Sequence, residues 1–373
     1  MKHLLPITCV LVVLTSAAAA EPMCESTDVF HSGEDGYAIY RIPAIEAAPD
    51  GTLIAFAEAR KHGGADPGFG KQDIDLVYKT SSDQGKTWSK MVILEDPGDG
   101  WSAANPATVV DRDTKKVWVL YLRSEPGRSS VTSRPKTRDM MTFTRYSEDN
   151  GKTWSEPIDL TDVARDMDDP EWKASIIGPG GAIQTRSGRL VAPVWGSTVS
   201  KGPHLNCVIY SDDHGATWKR GACVPGEIGG DEDQVVELAD GTLLLDCRQN
   251  KNNKGHRWFY ESKDGGETWS VGRPGLEVSP VACAIERYTL ESKGDDKNRV
   301  IWTGPKGPGR NNLVIRVSFD EGKTFPRETL IAAEPAAYSD LTILGDGTIG
   351  VLWERGDYRH ITFTRLNKEF VEK

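Results

Sequence analysis

The sequence predicts an all-β fold, specifically a six-bladed β-propeller, and three observations lead to this prediction. An eight-residue motif of the form S-x-D-x-G-x-T-W recurs along the chain. The segments that flank it are short, rich in β-branched residues and roughly alternating, with no sustained helical period. The mean spacing of the motif divides the chain into about six units, and units of about four strands at this period are typical of propeller blades.

The repeated motif has the chemistry of a tight turn between strands. Its Asp and Ser side chains can bond the turn amides, its Gly can adopt a positive φ, and its Thr-Trp pair begins the next strand. Four copies are complete and a fifth ends in phenylalanine: SSDQGKTW from Ser81, SEDNGKTW from Ser147, SDDHGATW from Ser211, SKDGGETW from Ser262 and SFDEGKTF from Ser318. A β-helix or paired sandwiches would space their strands more evenly. We expect the motif aspartates to be structural rather than catalytic or calcium-binding.

The first 20 residues have the three regions of a secretory signal peptide. Lys2 supplies positive charge, an apolar run extends from Leu4 to Leu14, and small residues follow up to Ala20. The apolar run is shorter than the roughly 20 residues that a membrane-spanning helix needs, and no later segment is long and apolar enough to span a bilayer. We therefore predict a signal peptide over residues 1–20, a single propeller over 21–373, and a monomeric protein that is secreted or periplasmic.

Charge and motif content exclude several classes of function. The formal net charge is −10, and it becomes −11 once Lys2 leaves with the signal peptide, which argues against binding to nucleic acid. Histidines and cysteines lack metal-ligand spacing, and the Gly-Lys-Thr triplets lack the upstream glycine of a phosphate-binding loop. We expect neither a metal nor a cofactor. An anionic substrate would need a local cationic pocket.

Five of the six cysteines remain after signal cleavage, and an odd number excludes a fully paired disulfide framework. Cys207 and Cys223 lie eight residues either side of Gly215, in a predicted hairpin. They are the best candidates for a disulfide. Two small buried hydrophobic side chains are an equally good interpretation.

A second periodic signal, x-D-G-T-[LI], occurs at Asp50, Asp240 and Asp346, with a variant at Ser187. Asp-Gly between alternating apolar runs is a strong hairpin signal. Two-residue turns would bring together pairs of residues at the opposite end of each hairpin: Arg41 with Arg60, Asp233 with Arg248, and Tyr338 with Arg355. A longer turn would shift the pairing by one residue and leave the groups at the same end. Because inner strands of a propeller follow its axis, we expect these groups to converge there.

Several segments resemble those of bacterial and animal exo-α-sialidases with Asp-box repeats. They are YRIPAIEAAPDGTLIAFAEAR, EDQVVELADGTLLLDCR, GPGRNNLVIRVSFDEGKTF and AAYSDLTILGDGTIGVLWERG, and the resemblance runs in order from about residue 36 to 365. It implies specific roles for eight residues: a carboxylate-binding triad of Arg41, Arg248 and Arg310, a fourth pocket arginine at Arg60, a tyrosine nucleophile at Tyr338, its base at Glu232, an acid/base at Asp66, and Glu354 orienting Arg41.

These residue types suit the removal of terminal sialic acid from a sialylated glycan. Guanidinium groups match the sugar carboxylate bidentately. A neutral phenol avoids the repulsion that a carboxylate nucleophile would meet near that carboxylate, but it needs a base beside it. A non-catalytic sialoglycan-binding propeller and a transferase of sialic acid remain as alternatives.

Overall fold

The computed structural model describes residues 20–226, 230–249 and 255–373, apart from the side chains of Pro203 and His204. Within these ranges the chain forms 25 strands, two four-residue helices and one short 3-10 helix, so the predicted all-β class is confirmed. Nearly all of the predicted signal peptide, residues 1–19, lies outside the described residues.

The first half of the described chain contains fourteen strands and one helix. They are β1 (Cys24–His31), β2 (Ile39–Ala47), β3 (Leu53–Arg60), β4 (Ile74–Ser81), β5 (Val92–Glu95), β6 (Ser102–Asp111), β7 (Lys116–Ser124), β8 (Met140–Ser147), β9 (Ile158–Asp159), α1 (Thr161–Ala164), β10 (Trp172–Ile177), β11 (Gly180–Gly181), β12 (Ile183–Gln184), β13 (Leu190–Thr198) and β14 (Gly202–Ser211).

The second half contains eleven strands, the 3-10 helix and the second α-helix. They are β15 (Lys219–Arg220), β16 (Gly230–Glu237), β17 (Leu243–Gln249), β18 (His256–Ser262), β19 (Arg273–Glu277), β20 (Ala284–Thr289), the 3-10 helix (Glu291–Lys293), β21 (Arg299–Pro305), β22 (Asn311–Ser318), β23 (Arg327–Ile343), β24 (Ile349–Arg355), β25 (His360–Leu366) and α2 (Lys368–Val371).

Strand pairing produces four sheets that consist of smaller antiparallel sets. One sheet contains β2-β3-β4-β5 and β6-β7-β8-β9, and a single parallel bridge between Ile74 and Ser102 joins these two sets. Two further sheets are β10-β13-β14-β15 and β16-β17-β18-β19. In the fourth, the 17-residue strand β23 pairs with β22 near its start and with β24 near its end. The fourth sheet therefore also contains two sets, β20-β21-β22-β23 and β23-β24-β25-β1.

The N-terminal strand closes the last of these sets. β1 pairs antiparallel with β25, from Cys24 opposite Leu366 to His31 opposite His360. Residues from the two ends of the described chain therefore share one sheet, in which the first strand follows the last.

The Asp-Gly hairpins have longer turns than the two-residue turns considered above. At the first hairpin, the Ala48 N–H donates to the Thr52 carbonyl at 2.8 Å, and the Gly51 N–H donates to the Ala48 carbonyl at 2.8 Å. The same two bonds recur at the hairpins around Gly188, Gly241 and Gly347. Three residues therefore connect each pair of strands, and a glycine with positive φ closes each connection.

This turn length, together with bulges in the strands, makes the predicted cross-strand pairs wrong. Arg41 lies opposite Glu58 rather than Arg60, and Asp233 lies opposite Cys247 rather than Arg248. The third predicted pair also fails, because Tyr338 lies in a bulge between the pairs Ala336–Arg355 and Ser339–Trp353. All the groups nevertheless remain at the end away from the turns, as predicted for a longer connection.

Bulges recur at that end of the inner strands. The pairing register shifts within β2, β6, β16 and β23, in the intervals Arg41–Ala44, Ala104–Ala107, Gly230–Asp233 and Ala336–Ser339. A bulge leaves a residue unpaired and re-aims neighbouring side chains. Three of the predicted site residues, Arg41, Glu232 and Tyr338, lie in or at the edge of these bulges.

The aspartate of each repeated motif stabilises its own turn. In the first copy the Thr87 N–H and hydroxyl donate to the two carboxylate oxygens of Asp83 at 2.9 and 2.6 Å, while the Gly85 N–H donates to the Ser81 hydroxyl at 2.9 Å. All five copies make these bonds at closely similar distances. These contacts agree with the structural role expected of the motif aspartates.

The motif aromatics pack against a neighbouring strand set. Trp154 of the second set makes an edge contact with Phe56 of the first, and Trp218 of the third does so with Trp118 of the second. The motif glycine permits this approach, since a Cβ on Gly215 would lie 2.3 Å from the Trp118 ring. Each repeat thus stabilises the contact between consecutive sets.

Cys207 and Cys223 belong to one hydrophobic cluster and both are free thiols in the structure. Hydrogen bonding to Cys223 and burial raise the pKa of the Cys207 thiol. The structure therefore has the buried-hydrophobe arrangement, not the disulfide. Among the described residues, no helix has the length and apolar character that crossing a membrane requires.

Candidate active site

A cavity of about 220 Å³ opens at the bulged ends of the inner strands. It brings together seven of the eight residues predicted from the sequence: Arg41, Arg60, Asp66, Glu232, Arg248, Arg310 and Tyr338. The eighth, Glu354, does not line the cavity but hydrogen bonds to Arg41. Residues that are up to 297 positions apart in the chain thus surround one small volume.

Tyr338 and Glu232 face each other at the bottom of this cavity. The Tyr338 hydroxyl lies 2.6 and 2.7 Å from the two carboxylate oxygens of Glu232 and donates to them. Arg248 donates from NH1 to the same hydroxyl at 2.6 Å and also pairs with Glu232. The Tyr338 and Glu232 residues are only 6% and 7% exposed. A phenol, a proton acceptor and a cation are therefore in direct contact away from bulk water.

Three arginines from different sheets surround the tyrosine ring. The guanidinium carbons of Arg41, Arg310 and Arg248 lie 5.3, 5.4 and 5.9 Å from the Tyr338 ring centroid. They converge on one side chain although Arg41 lies near the start of β2, Arg248 near the end of β17 and Arg310 directly before β22. The protein has an acidic overall charge, so this cluster is the local cationic site that an anionic substrate requires.

Glu354 fixes two of these groups. Its carboxylate, on a residue that is 1% exposed, accepts from Arg41 Nε at 2.6 Å and from the backbone N–H groups of Ile42 and Tyr338 at 2.9 and 3.1 Å. Glu354 therefore pairs with Arg41 in the interior of the protein and not at its surface. One buried carboxylate sets the position of the first arginine and of the tyrosine backbone together.

Arg60 and Asp66 form a second pair at the cavity wall. Arg60 donates from Nε and NH2 to Glu58 at 2.9 and 2.6 Å, and from NH1 to Asp66 at 2.9 Å. The Asp66 side chain is 65% exposed and also lies 4.0 Å from Arg41. Asp66 is therefore the accessible carboxylate at the mouth, in contrast to the enclosed Glu232.

The loop that carries Asp66 is seated against a neighbouring loop. A Cβ on Gly68 would lie 2.2 Å from the backbone carbonyl carbon of Arg128, and Gly68 has a φ of +83°. Only glycine fits such an approach without displacing one of the loops. Phe69 follows directly, lines the cavity and is 45% exposed, so it forms an apolar lip beside Asp66.

The cavity also has an apolar wall, which the sequence did not predict. Leu122, Met140, Ile176 and Trp195 line the cavity opposite the charged residues, and they form one hydrophobic cluster. A signal for Trp195 was present, because it follows the glycine of the Ser187 hairpin variant at seven residues, the same interval that separates Gly347 from Glu354.

Tyr358 was also missed. Its hydroxyl accepts from Arg310 NH1 at 2.7 Å, and the Arg41 guanidinium carbon lies 4.3 Å from its ring centroid. Tyr358 and Asp357 both have positive φ, 66° and 55°, a backbone conformation that is uncommon outside glycine and costs free energy. Nothing in the sequence pattern marks this turn as part of the site.

Burial and charge shift the pKa values of the central groups. Burial, followed by the nearby Glu232 carboxylate, raises the pKa of Tyr338 well above its usual value. Burial also raises the pKa of Glu232, with Arg248 opposing the shift and Asp231 adding to it. Burial alone would lower the pKa of Arg41, but attraction to Glu354 outweighs it and the pKa is raised. The resting tyrosine is thus a neutral phenol held beside a permanently charged guanidinium.

A larger cavity of about 470 Å³ lies near the hairpin turns, at the opposite ends of the inner strands. Glu46, Arg112, Glu286 and Arg287 line it. The tyrosine that lines it, Tyr288, donates its hydroxyl proton to the Gly347 carbonyl at 3.0 Å rather than to a carboxylate, so we assign the chemistry to the smaller cavity. Two groups with metal-binding geometry occur in the described parts of the chain, around His31 and around His214, and none of their members lines the smaller cavity.

Known proteins are similar to this chain over most of its length. Residues 47–351 match the family described as BNR repeat-like domain. The sialidase of Micromonospora viridifaciens is 30% identical over 358 residues, covering 90% of this chain and 53% of that protein. The sialidase of Bacteroides fragilis is 30% identical over 365 residues, covering 92% and 65%. The chain therefore spans about half to two thirds of the length of these relatives.

A solved structure is also similar over most of the chain. The Hadza microbial sialidase Hz136 superposes with a TM-score of 0.84 at 27% identity, covering 93% of this chain and 69% of that one.

Proposed function

The chain belongs to the BNR repeat-like domain family, whose members similar to it include sialidases, and from this premise we propose that it is an exo-α-sialidase. It would hydrolyse terminal α-linked sialic acid from glycoproteins, glycolipids or oligosaccharides, with retention of configuration. The observation that carries the proposal is the environment of Tyr338: its hydroxyl contacts Glu232 and Arg248, and its ring is surrounded by three arginines.

The arginines would hold the substrate carboxylate. Arg41, Arg248 and Arg310 approach the Tyr338 ring from different sheets, and guanidinium groups bind carboxylates through paired charge-assisted hydrogen bonds. The carboxylate of sialic acid is attached to its anomeric carbon, so binding it beside the ring would place that carbon next to the phenolic oxygen. The acidic protein would thus bind an anion through local charge alone.

The first chemical step would form a covalent bond to Tyr338. The phenolic oxygen attacks the anomeric carbon, its proton passes to Glu232, and the glycosidic bond breaks. The departing oxygen takes a proton from Asp66, whose exposed position at the mouth suits contact with the leaving group. Sialidases are an exception among glycosidases in using tyrosine as the nucleophile.

The second step would reverse these proton movements. Asp66, now a carboxylate, removes a proton from a water molecule that attacks the anomeric carbon. The bond to Tyr338 breaks, and the phenolic oxygen recovers its proton from Glu232. Two displacements at one carbon give net retention, and both carboxyl groups return to their starting states.

The architecture we propose is a six-bladed propeller with the site on its axis. The four sheets divide into six antiparallel sets of four strands, and the inner strands of four sets carry bulges at the cavity end. The apolar N-terminal segment supports secretion or periplasmic export, with residues 21–373 as one monomeric domain.

The test is an assay of the purified mature protein with a fluorogenic α-sialoside. The parent should release sialic acid, and Tyr338→Phe should lose most of the activity because the nucleophilic oxygen is removed. Tyr288→Phe is the matched control, since Tyr288 lines the larger cavity and donates only to the Gly347 carbonyl. If the parent binds sialosides but releases nothing, the chain is a sialoglycan-binding module and the proposal fails.

Product analysis separates hydrolysis from transfer. Hydrolysis adds one water to the released sugar, whereas transfer attaches it to an added acceptor sugar. Mass spectrometry of the product, with and without a galactoside acceptor, distinguishes the two outcomes. Because both reactions would use Tyr338, Glu232 and Asp66, the variant assays alone cannot separate them.

A further inference from the structure

Two histidines and an aspartate meet where the first and last strands pair. His31 in β1 lies directly opposite His360 in β25, and their Nδ1 atoms are 3.1 Å apart. Asp28, also in β1, has Oδ2 3.7 Å from the same His360 Nδ1. The three ligand atoms lie within 4.8 Å of one another and all three residues are partly buried. Residues from the two ends of the chain thus form one compact set of donors.

We propose that Asp28, His31 and His360 bind a divalent transition-metal ion, with zinc best suited to the donors. Zinc prefers imidazole nitrogen and carboxylate oxygen in a tetrahedral arrangement, with metal–ligand distances of about 2.0–2.1 Å. Such a tetrahedron places neighbouring ligand atoms about 3.3 Å apart. The observed separations of 3.1 and 3.7 Å bracket this value, so small side-chain movements suffice. The fourth position would take water, since the cluster is partly exposed.

Neighbouring groups already orient the aspartate for this role. Asp28 Oδ1 accepts from the Thr362 hydroxyl at 2.6 Å and from Arg355 NH1 at 3.2 Å, which leaves Oδ2 as the oxygen nearer His360. Hydrogen bonds of this kind fix the ligands of metal sites. Arg355 also pairs with Glu334 at 3.0 Å, so its charge is divided between two carboxylates. Because Glu334 and Asp28 together carry more negative charge than Arg355 offsets, a bound cation would not be repelled.

The second cluster with similar geometry does not support the same inference. Asp111 accepts from the Asp113 and Thr114 N–H groups, the Thr114 hydroxyl and the Gln184 side-chain amide. Both of its oxygens therefore accept hydrogen bonds from its own turn or from Gln184, in addition to the contact of Oδ2 with His214 Nδ1 at 3.0 Å. The competing arrangement at the first cluster is a direct hydrogen bond between the two imidazoles, which would need no metal.

A metal at this position would stabilise the closure of the fold. His31 and His360 are separated by 329 positions in the chain, so the site forms only when β1 pairs with β25. An ion that binds the folded state and not the unfolded chain raises the free energy of unfolding. The sequence spacing gave no indication of a metal because the donors are brought together by the pairing of the chain's two ends.

The test uses the full mature protein, purified without a polyhistidine tag, treated with a chelator and then dialysed. Addition of equimolar Zn²⁺ should raise the melting temperature by several degrees, and titration calorimetry should saturate at one ion per chain. Co²⁺ should give the visible absorption of a tetrahedral site. These readouts do not depend on sialidase activity, so a failure of the proposed function leaves this proposal intact.

Two variants identify the ligands. His360→Gln and His31→Gln should each weaken Zn²⁺ binding at least about tenfold and remove the thermal shift, while melting like the parent in the presence of chelator. His214→Asn is the matched control and should keep the full shift, because His214 lies outside the proposed site. Asparagine suits this position, since Asn150 occupies the equivalent position of another repeat with a similar positive φ. Absence of a shift in the parent, or an undiminished shift in both variants, would overturn the proposal in favour of the direct imidazole pair.

Discussion

The phenolic oxygen of Tyr338 lies 2.6 and 2.7 Å from the two carboxylate oxygens of Glu232. Burial and this carboxylate raise the pKa of the tyrosine well above its usual value. An unassisted phenol would therefore stay protonated and be a poor nucleophile at neutral pH. Because the acceptor is already in contact, the proton can move as the bond to carbon forms.

Replacement of Glu232 by glutamine should abolish most of the activity. Gln can occupy the same volume and hydrogen bond to the tyrosine, but it cannot take up the proton. We expect kcat/KM to fall by about 10²–10⁴-fold, measured with the fluorogenic sialoside. Glu321→Gln is the control, since Glu321 pairs with Arg287 outside the smaller cavity. A Glu232→Gln variant within tenfold of the parent would exclude this residue as the base.

The pH dependence of kcat/KM should show the ionisation of the same carboxyl group. Burial raises the pKa of Glu232 above the usual 4.5, and only the ionised form can accept the proton. Activity should therefore be lost as the pH falls, with the midpoint of the acid limb above 4.5. Initial rates at low substrate between pH 3.5 and 8 would measure it. An enzyme that keeps full activity down to the ordinary glutamate range would contradict the assignment.

Removal of the Glu354 charge should affect both catalysis and stability. Its carboxylate holds Arg41 Nε and the Tyr338 N–H, and Arg41 is only 7% exposed. Glu354→Gln leaves a buried guanidinium without its counter-charge, which costs about 3–5 kcal/mol. Urea unfolding measures this loss. Because Glu354 is a positioning residue, its replacement should also lower kcat, since the Tyr338 backbone loses a hydrogen bond, and should raise KM, since Arg41 loses its partner. A loss of stability with unchanged kcat and KM would refute the positioning role.

The end of each hairpin at which a side chain lies can be predicted from the sequence, whereas its partner on the next strand cannot. The hairpin signal correctly grouped Arg41, Glu232 and Tyr338 at one end, because strand direction follows from the turn positions alone. It failed on the cross-strand partners, since a one-residue difference in turn length shifts every pair and the bulges at Arg41 and Tyr338 shift the pairing further. The bulges that aim these side chains have no local sequence signature. Arg310, outside any such hairpin, was found only through family resemblance.

Contacts between distant segments were the main omissions. Tyr358 contacts Arg41 and Arg310 from a turn whose positive φ values depend on its surroundings. The pairing of His31 with His360 requires the N-terminal strand to join the last set. A sequence motif predicts neither the Tyr358 contacts nor the pairing of the two histidines, because both depend on which strands become neighbours in the fold.

Phe69 should contribute to binding of the leaving group. It is 45% exposed, lines the cavity and lies three residues from Asp66, which contacts the departing oxygen in our mechanism. An aromatic face stacks on a sugar ring, and loss of a contact worth about 1 kcal/mol changes affinity roughly fivefold. Phe69→Ala should raise KM severalfold for a sialylated disaccharide and leave a methyl sialoside unaffected. Val131→Ala is the control, since Val131 is 56% exposed and does not line the cavity. If Phe69→Ala raises KM equally for both substrates, Phe69 does not contact the leaving group.

The larger cavity should make stability depend on pH. Burial and repulsion from Glu286 raise the pKa of Glu46 to about 8, and burial raises that of Glu286 to about 7. In the unfolded chain both groups titrate near 4.3, so the folded state holds more protons between these values. The stabilising contribution is complete below about pH 4 and is lost as the pH rises towards 8.

Urea unfolding at pH 5 and pH 8 should show lower stability at pH 8. Glu46→Gln should reduce the difference because the neutral amide has no proton to lose. Glu156→Gln, at an exposed position, should leave the difference unchanged; a parent that is more stable at pH 8 would mean that these carboxyl groups are ionised in the fold.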